Sequence, residues 1–141
     1  MRARRELGYQ KPTVHVYWGD NGTGKSRRAL EEATGLYGTH GYYSLTGKWF
    51  DSYDGEPGLI INEFVGHLAP TFLLQLLDGY PVLLPQKHAG AMSQLRSVWI
   101  TSNSSPDTWW PKLRLSDNWN PEWDAALRRR FNSVVHYLLG S

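Results

Sequence analysis

Gly19-Asp20-Asn21-Gly22-Thr23-Gly24-Lys25-Ser26 matches the phosphate-binding pattern G-x-x-x-x-G-K-[ST] at every fixed position. The spacing has a mechanical cause: glycines let the backbone wrap closely around a polyphosphate, so that loop amides point inward as donors. Lys25 is placed to reach the β and γ phosphates and Ser26 to offer its hydroxyl to Mg²⁺. Gly19, Asn21, Gly22, Thr23 and Gly24 form the cradle. Val14-His15-Val16-Tyr17-Trp18 before the loop favours a strand, and Ser26 to Ala33 after it favours a helix. Such a helix presents its positive end to the same anion. Nucleotide binding, with ATP and Mg²⁺ as cofactors, is therefore the leading expectation.

The chain has 141 residues, enough for one domain with a real core, and no cysteine, which excludes zinc ribbons, thiol catalysis and a disulfide framework. No apolar run approaches the roughly 20 residues that span a bilayer, and the arginine-rich start lacks the apolar segment of a signal peptide. A soluble intracellular protein is expected. The net charge of +2 does not announce nucleic-acid binding, so such a reading must rest on where basic residues sit. Arg2, Arg4, Arg5 and Lys11 crowd residues 1–12, read as a linker before a domain over 13–141, and Arg128-Arg129-Arg130 lies between apolar neighbours.

Strand and helix signals alternate along the rest. Tyr42–Leu45 is a weak strand, and Lys48–Gly55 an aromatic loop. Leu59–Phe64 reads as a buried strand ending in polar residues, Thr71–Asp78 as a helix opened by Pro70 and stopped by Gly79, and Val82–Leu84 as a short strand. Pro85–Gly90 reads as a projecting hairpin or loop with a basic tip, and Ser97–Asn103 as a second buried strand. A Pro- and Trp-rich loop leads to a helix over about 121–130, and Phe131–Leu139 is the last strand. This order predicts an α/β P-loop fold with a mostly parallel sheet, whose ligands sit at the carboxyl ends of its strands. Glu63 is then the candidate general base, and Asn103 the group that holds the attacking water or the γ phosphate. Trp18 and Trp99 read as core. Trp49, Trp109, Trp110, Trp119 and Trp123 suit packing in the core or at an interface, or stacking on adenine or DNA bases.

Together, the phosphate loop, the Asn62-Glu63 strand end, the Lys87 hairpin, Trp99-Ile100-Thr101-Ser102-Asn103 and Ala126-Leu127-Arg128-Arg129-Arg130 resemble a superfamily 3 helicase. More narrowly, Lys48-Trp49-Phe50-Asp51 and Pro106 and Trp109 after Asn103 resemble the helicase domain of replication initiators from circovirus-like, circular single-stranded DNA viruses. The likeness covers about 13–139. It implies an AAA+ fold and an ATP-driven helicase that assembles as a homo-hexameric ring on single-stranded DNA and works in the host nucleus. It also implies Walker A at Gly24, Lys25 and Ser26, Walker B at Asn62 and Glu63 with Mg²⁺ held by Ser26, Asn62 and Glu63, and DNA contacts from Lys87 and His88. Asn103 becomes the sensor, and Arg129 or Arg130 a finger reaching a neighbouring subunit's nucleotide.

Two departures stand out. Asn62 occupies a position where these families usually carry Asp, and the nicking endonuclease of complete initiators, with its paired histidines and tyrosine, has no counterpart here. His15, His40, His67, His88 and His136 are scattered, and no metal site is expected from them. The chain is expected to be a helicase domain separated from that nuclease, or a reduced paralogue. A small-molecule or nucleotide kinase, and a nucleotide-gated DNA-binding module that does not hydrolyse, remain alternatives.

Overall fold

In the computed structural model, residues 9–87 and 90–139 are described. His88, Arg2, Arg4 and Arg5 lie outside them. The chain runs β1 (Thr13–Gly19), α1 (Lys25–Tyr37), β2 (Tyr42–Leu45), β3 (Gly58–Ile61), α2 (Pro70–Leu76), β4 (Leu83–Pro85), β5 (Gly90–Met92), β6 (Ser97–Ser102), a 3-10 turn (Pro106–Thr108), α3 (Pro111–Arg114), α4 (Glu122–Arg130) and β7 (Ser133–Tyr137).

Five strands form one sheet in the order β2-β3-β6-β1-β7, and every neighbouring pair is parallel. Alternation along β1 divides the core. Val14 and Val16 point to one face with Leu59, Ile61, Val98 and Ile100, whereas Tyr17 joins Ile60 and Trp99 on the other. α1 covers that second face through Ala29 and Ala33, one turn apart, whose small side chains let the helix lie close to the sheet. The first face carries the larger cluster, including Leu73, Leu76 and Leu127 from α2 and α4, with Phe50, Phe64, Trp109 and Trp110 contributed by loops. The arrangement is the expected α/β P-loop fold, with helices on both faces of a parallel sheet.

Other expectations need correcting. Trp18 is only partly core: it is half-buried, packs against the edge of the larger cluster and stacks on His136 of β7 at 3.7 Å. β3 ends at Ile61 rather than Phe64, because Glu63 turns the chain with φ 51°, and Phe64 returns to the core from beyond that turn. The Pro- and Trp-rich stretch is not a plain loop. It contains the 3-10 turn and α3, each opened by proline, and Arg114 braces it with two 2.8 Å bonds to Asp124 and a stack 4.2 Å over Trp119. The hairpin is present: β4 and β5 pair antiparallel as a separate ribbon, with Lys87 in the connection. No helix among the described residues is long and apolar enough to cross a membrane.

Candidate functional site

β3, β6 and β1 are adjacent, and the chain leaving each at its carboxyl end contributes to one cleft of about 280 Å³. From β1 come Asn21, Gly22, Gly24, Lys25 and Ser26; from β3 comes Glu63; and from β6 come Thr101, Ser102 and Asn103. The sequence-predicted base, sensor and phosphate loop thus meet, although about 40 residues separate each group from the next along the chain.

The loop's shape follows from its glycines. Gly19, Gly22 and Gly24 have φ of 143°, 76° and 90°, a left-handed region that penalises any Cβ. At Gly19 a Cβ would also lie 1.9 Å from the Tyr137 carbonyl oxygen of β7, so glycine is needed on both counts. Gly24 caps α1, and Lys25 is its first residue. The Lys25 side chain is 7% exposed and folds back over the loop, its ammonium donating to the carbonyl oxygens of Gly19 at 3.0 Å and Asp20 at 2.6 Å. The Thr23 hydroxyl donates to the Asp20 carbonyl at 2.7 Å, which tightens the turn. A buried cation bonded only to neutral oxygens beside a helix N-terminus is matched to an anion.

Glu63 is exposed on the opposite wall, with its amide donating to the Thr101 hydroxyl at 3.2 Å. Its backbone is left-handed, unfavourable for a glutamate, and among the described residues it is the one acidic residue lining the cleft. The Ser102 hydroxyl donates to the Phe64 carbonyl at 2.6 Å and Trp109 Nε1 donates to Ser102 at 3.1 Å, which fixes the β3 and β6 strand ends against each other. Asn103 is exposed at that edge.

Asn62 does not reach the cleft. Its amide donates to the Ser44 hydroxyl at 2.7 Å and the Leu45 carbonyl at 3.2 Å, so its side chain is held against the end of β2. Arg129, Arg130 and Lys87 also lie away from the cleft. Arg129 is exposed, and its side chain makes no hydrogen bond or ion pair among the described residues. Arg130 bonds to Asp78 at 3.3 Å and to the Ala126 carbonyl at 2.9 Å, and Arg128 pairs with Asp107 at 2.8 Å. The arginines therefore use neither Asp124, which Arg114 holds, nor Glu122. Arg27, Thr101 and Ser102 are cleft residues that sequence reasoning missed; the signal was their place beside Ser26 and Asn103.

The comparisons bear on this geometry. Over 127 residues the chain is 37% identical to the replication-associated protein of beak and feather disease virus, covering 90% of this chain and 39% of the relative. The corresponding protein of porcine circovirus 2 is 35% identical over 127 residues, with 90% and 38% covered, and that of human associated cyclovirus 1 is 39% identical over 97 residues, with 67% and 35% covered. This chain is a homologue of the circovirus replication-associated proteins. It spans less than two fifths of the length of these relatives. No family model matches the chain. Among solved structures, the S. cerevisiae Hsp104–ADP complex aligns with a TM-score of 0.55 at 18% identity, over 96% of this chain and 25% of the other. A closed-state reconstruction of Hsp104 with ATPγS and casein aligns at 0.52 and 19% identity, over 90% and 29%. At such low identity the likeness concerns fold, and the fold is that of the AAA+ P-loop ATPases.

Proposed function

We propose that this chain is the ATP-driven motor of a viral replication protein, moving on single-stranded DNA and unwinding duplex during replication in the host nucleus. The observation that carries the reading is the convergence of Lys25, Ser26, Glu63 and Asn103 on one cleft at the carboxyl ends of three adjacent parallel strands. Homology to replication-associated proteins supplies the DNA context.

In this reading the triphosphate of ATP takes the Lys25 ammonium from the Gly19 and Asp20 carbonyls, and the loop amides receive its oxygens. The donor set suits Mg²⁺ at the Ser26 hydroxyl and Glu63, where the ion supplies neutralisation of phosphate charge; Asn62, turned to β2, is a poor candidate ligand as it stands. Glu63 orients and deprotonates the attacking water, and Asn103 holds it against the γ phosphate. Arg129, which has no acidic partner among the described residues, is better suited than the tethered Arg130 to reach a nucleotide in the next subunit of a ring. Lys87, exposed at the hairpin tip, meets the DNA backbone.

Because the first Walker B position is uncharged and points elsewhere, a second reading is a nucleotide-gated DNA-binding module without hydrolysis. Phosphate release measured with and without single-stranded DNA, alongside strand displacement from a forked duplex, decides between them. DNA-stimulated release with displacement supports the motor. ATP-dependent DNA retention without release selects the module, and stimulation by a nucleoside or nucleoside monophosphate instead of DNA would make the protein a kinase.

A further inference from the structure

A second cleft, of about 310 Å³, lies between the loop after β2 and the start of α2, and shares no lining residue with the phosphate cleft. Its walls are Lys48, Trp49, His67, Leu68, Phe72 and Pro85. We propose that it is a base-stacking site for single-stranded DNA, in which Trp49 takes the face of an unpaired base and Lys48 a neighbouring phosphate. The proposal rests on the reading of the chain as a DNA motor.

Trp49 is 43% exposed, yet its loop is firmly held, since the neighbouring Phe50 and Tyr53 are 0% and 3% exposed. The Tyr43 hydroxyl donates to the Asp51 carbonyl at 2.7 Å, and the Phe50 amide donates to the Pro85 carbonyl at 2.7 Å. An indole held open to solvent on a rigid support is a preorganised platform, the arrangement that lowers the entropic cost of binding. The same contacts join the platform to the hairpin. Gln86 Nε2 donates to the carbonyls of Phe50 and Tyr53, and the Lys87 amide donates to the Asp51 carboxylate at 2.8 Å. Trp49 and Lys87 are therefore joined through one hydrogen-bonded frame, so that a strand tracked by the hairpin would pass the indole.

Charge favours a nucleic acid over a protein surface. No carboxylate among the described residues lines the cleft, the Lys48 ammonium sits 5.8 Å from the Trp49 ring centre, and Asp51 is occupied by the Lys87 amide. Burial holds His67 below the ordinary histidine pKa, which favours the neutral ring and leaves it as part of the apolar wall. Apolar walls with one cation at the rim fit a base with its phosphate, because a ring face needs no particular hydrogen-bond partner.

The test compares fluorescence anisotropy of labelled oligothymidylate with that of an abasic strand of equal length, using the wild-type chain, Trp49→Ala and Trp49→Phe. Loss of one stacked base, about 1–3 kcal/mol, predicts roughly 5- to 150-fold weaker thymidylate binding by Trp49→Ala. Abasic binding and ATP binding stay unchanged, and Trp49→Phe recovers most of the loss. Unchanged thymidylate affinity in Trp49→Ala overturns the proposal, as does an equal loss on both strands. A drop in assembly mass in the same variant overturns it too, by giving the cleft to a second copy of the chain. Wild-type protein that binds neither strand would overturn the DNA motor as well, so the two failures are distinguishable.

Discussion

Replacing Lys25 with alanine separates what this residue does for the fold from what it does for a nucleotide. In the unliganded chain its ammonium makes two short bonds, to the carbonyls of Gly19 and Asp20. Bonds to a charged group each contribute about 1.5–3 kcal/mol when lost without replacement. Two features offset that loss. Water can reach the exposed Asp20 once the side chain is gone, and removing a positive charge from the first residue of α1 relieves an unfavourable interaction with the helix dipole of about 0.3–1 kcal/mol. Folding stability should therefore fall by less than the roughly 3–6 kcal/mol that the two bonds represent, and the chain should still fold. A bound triphosphate has no such substitute: two charge-assisted bonds at about 1.5–3 kcal/mol each correspond to a loss of about two to four decades in affinity. Thermal melting, fluorescent-nucleotide titration and phosphate release measured on one preparation check this. Wild-type turnover in Lys25→Ala would refute the assignment of the cleft, and collapse of the fold would refute the argument that the residue is held there for an anion.

Gly19→Ala should lower stability by about 2–5 kcal/mol, combining a left-handed alanine with overpacking against the Tyr137 carbonyl; an unchanged denaturation midpoint would contradict the close approach of β1 and β7. Lys87→Ala should reduce the magnitude of the salt slope of single-strand binding by about 0.7, the counterion share of one phosphate contact, and an unchanged slope removes the hairpin from the DNA path. Asn62→Asp loses both donations to β2, so it should melt lower in metal-free buffer and recover on Mg²⁺ addition as the carboxylate turns to the cleft; equal melting with and without Mg²⁺ would refute that movement. Burial works to raise the Glu32 carboxyl, but bonds from the Tyr17 hydroxyl and Trp99 Nε1 and the charge of Arg28 outweigh it and hold it below its ordinary value of 4.5. Its contribution is thus complete above that value and lost as pH falls through the lower folded one, so wild-type melting should drop below about pH 4.5 more steeply than that of Glu32→Gln.

Elements whose own residues carry the structural signal were legible in the sequence. β1, the loop and α1 follow from an apolar run, glycine spacing and helix formers, and Tyr42–Leu45 is found with its bounds. One error arose where tertiary contact decides: Phe64 extended the apparent apolar strand although it reaches the core after a turn. For Trp109 and Trp110 the sequence left core and interface packing open, and the structure selects the core, with bonds to Ser102 and Leu68. The prolines opening the 3-10 turn and α3 were a usable signal for missed helical starts.

The Asn62-Glu63 pair shows why adjacency in sequence is a weak guide to a shared role. In an extended strand, consecutive side chains alternate in direction; here the left-handed turn at Glu63 replaces that alternation just past the strand end. Asn62 consequently faces Ser44 at the sheet's outer strand, whereas Glu63 lines the cleft together with Lys25. An asparagine suits the first direction because its amide can donate to the Leu45 carbonyl, which an aspartate cannot do. The missing charge at this position is therefore coupled to a local bond that an acidic residue would break. Among the described residues Glu63 is then the one acidic residue lining the cleft, and its left-handed backbone lies where the proposed hydrolysis would use a carboxylate.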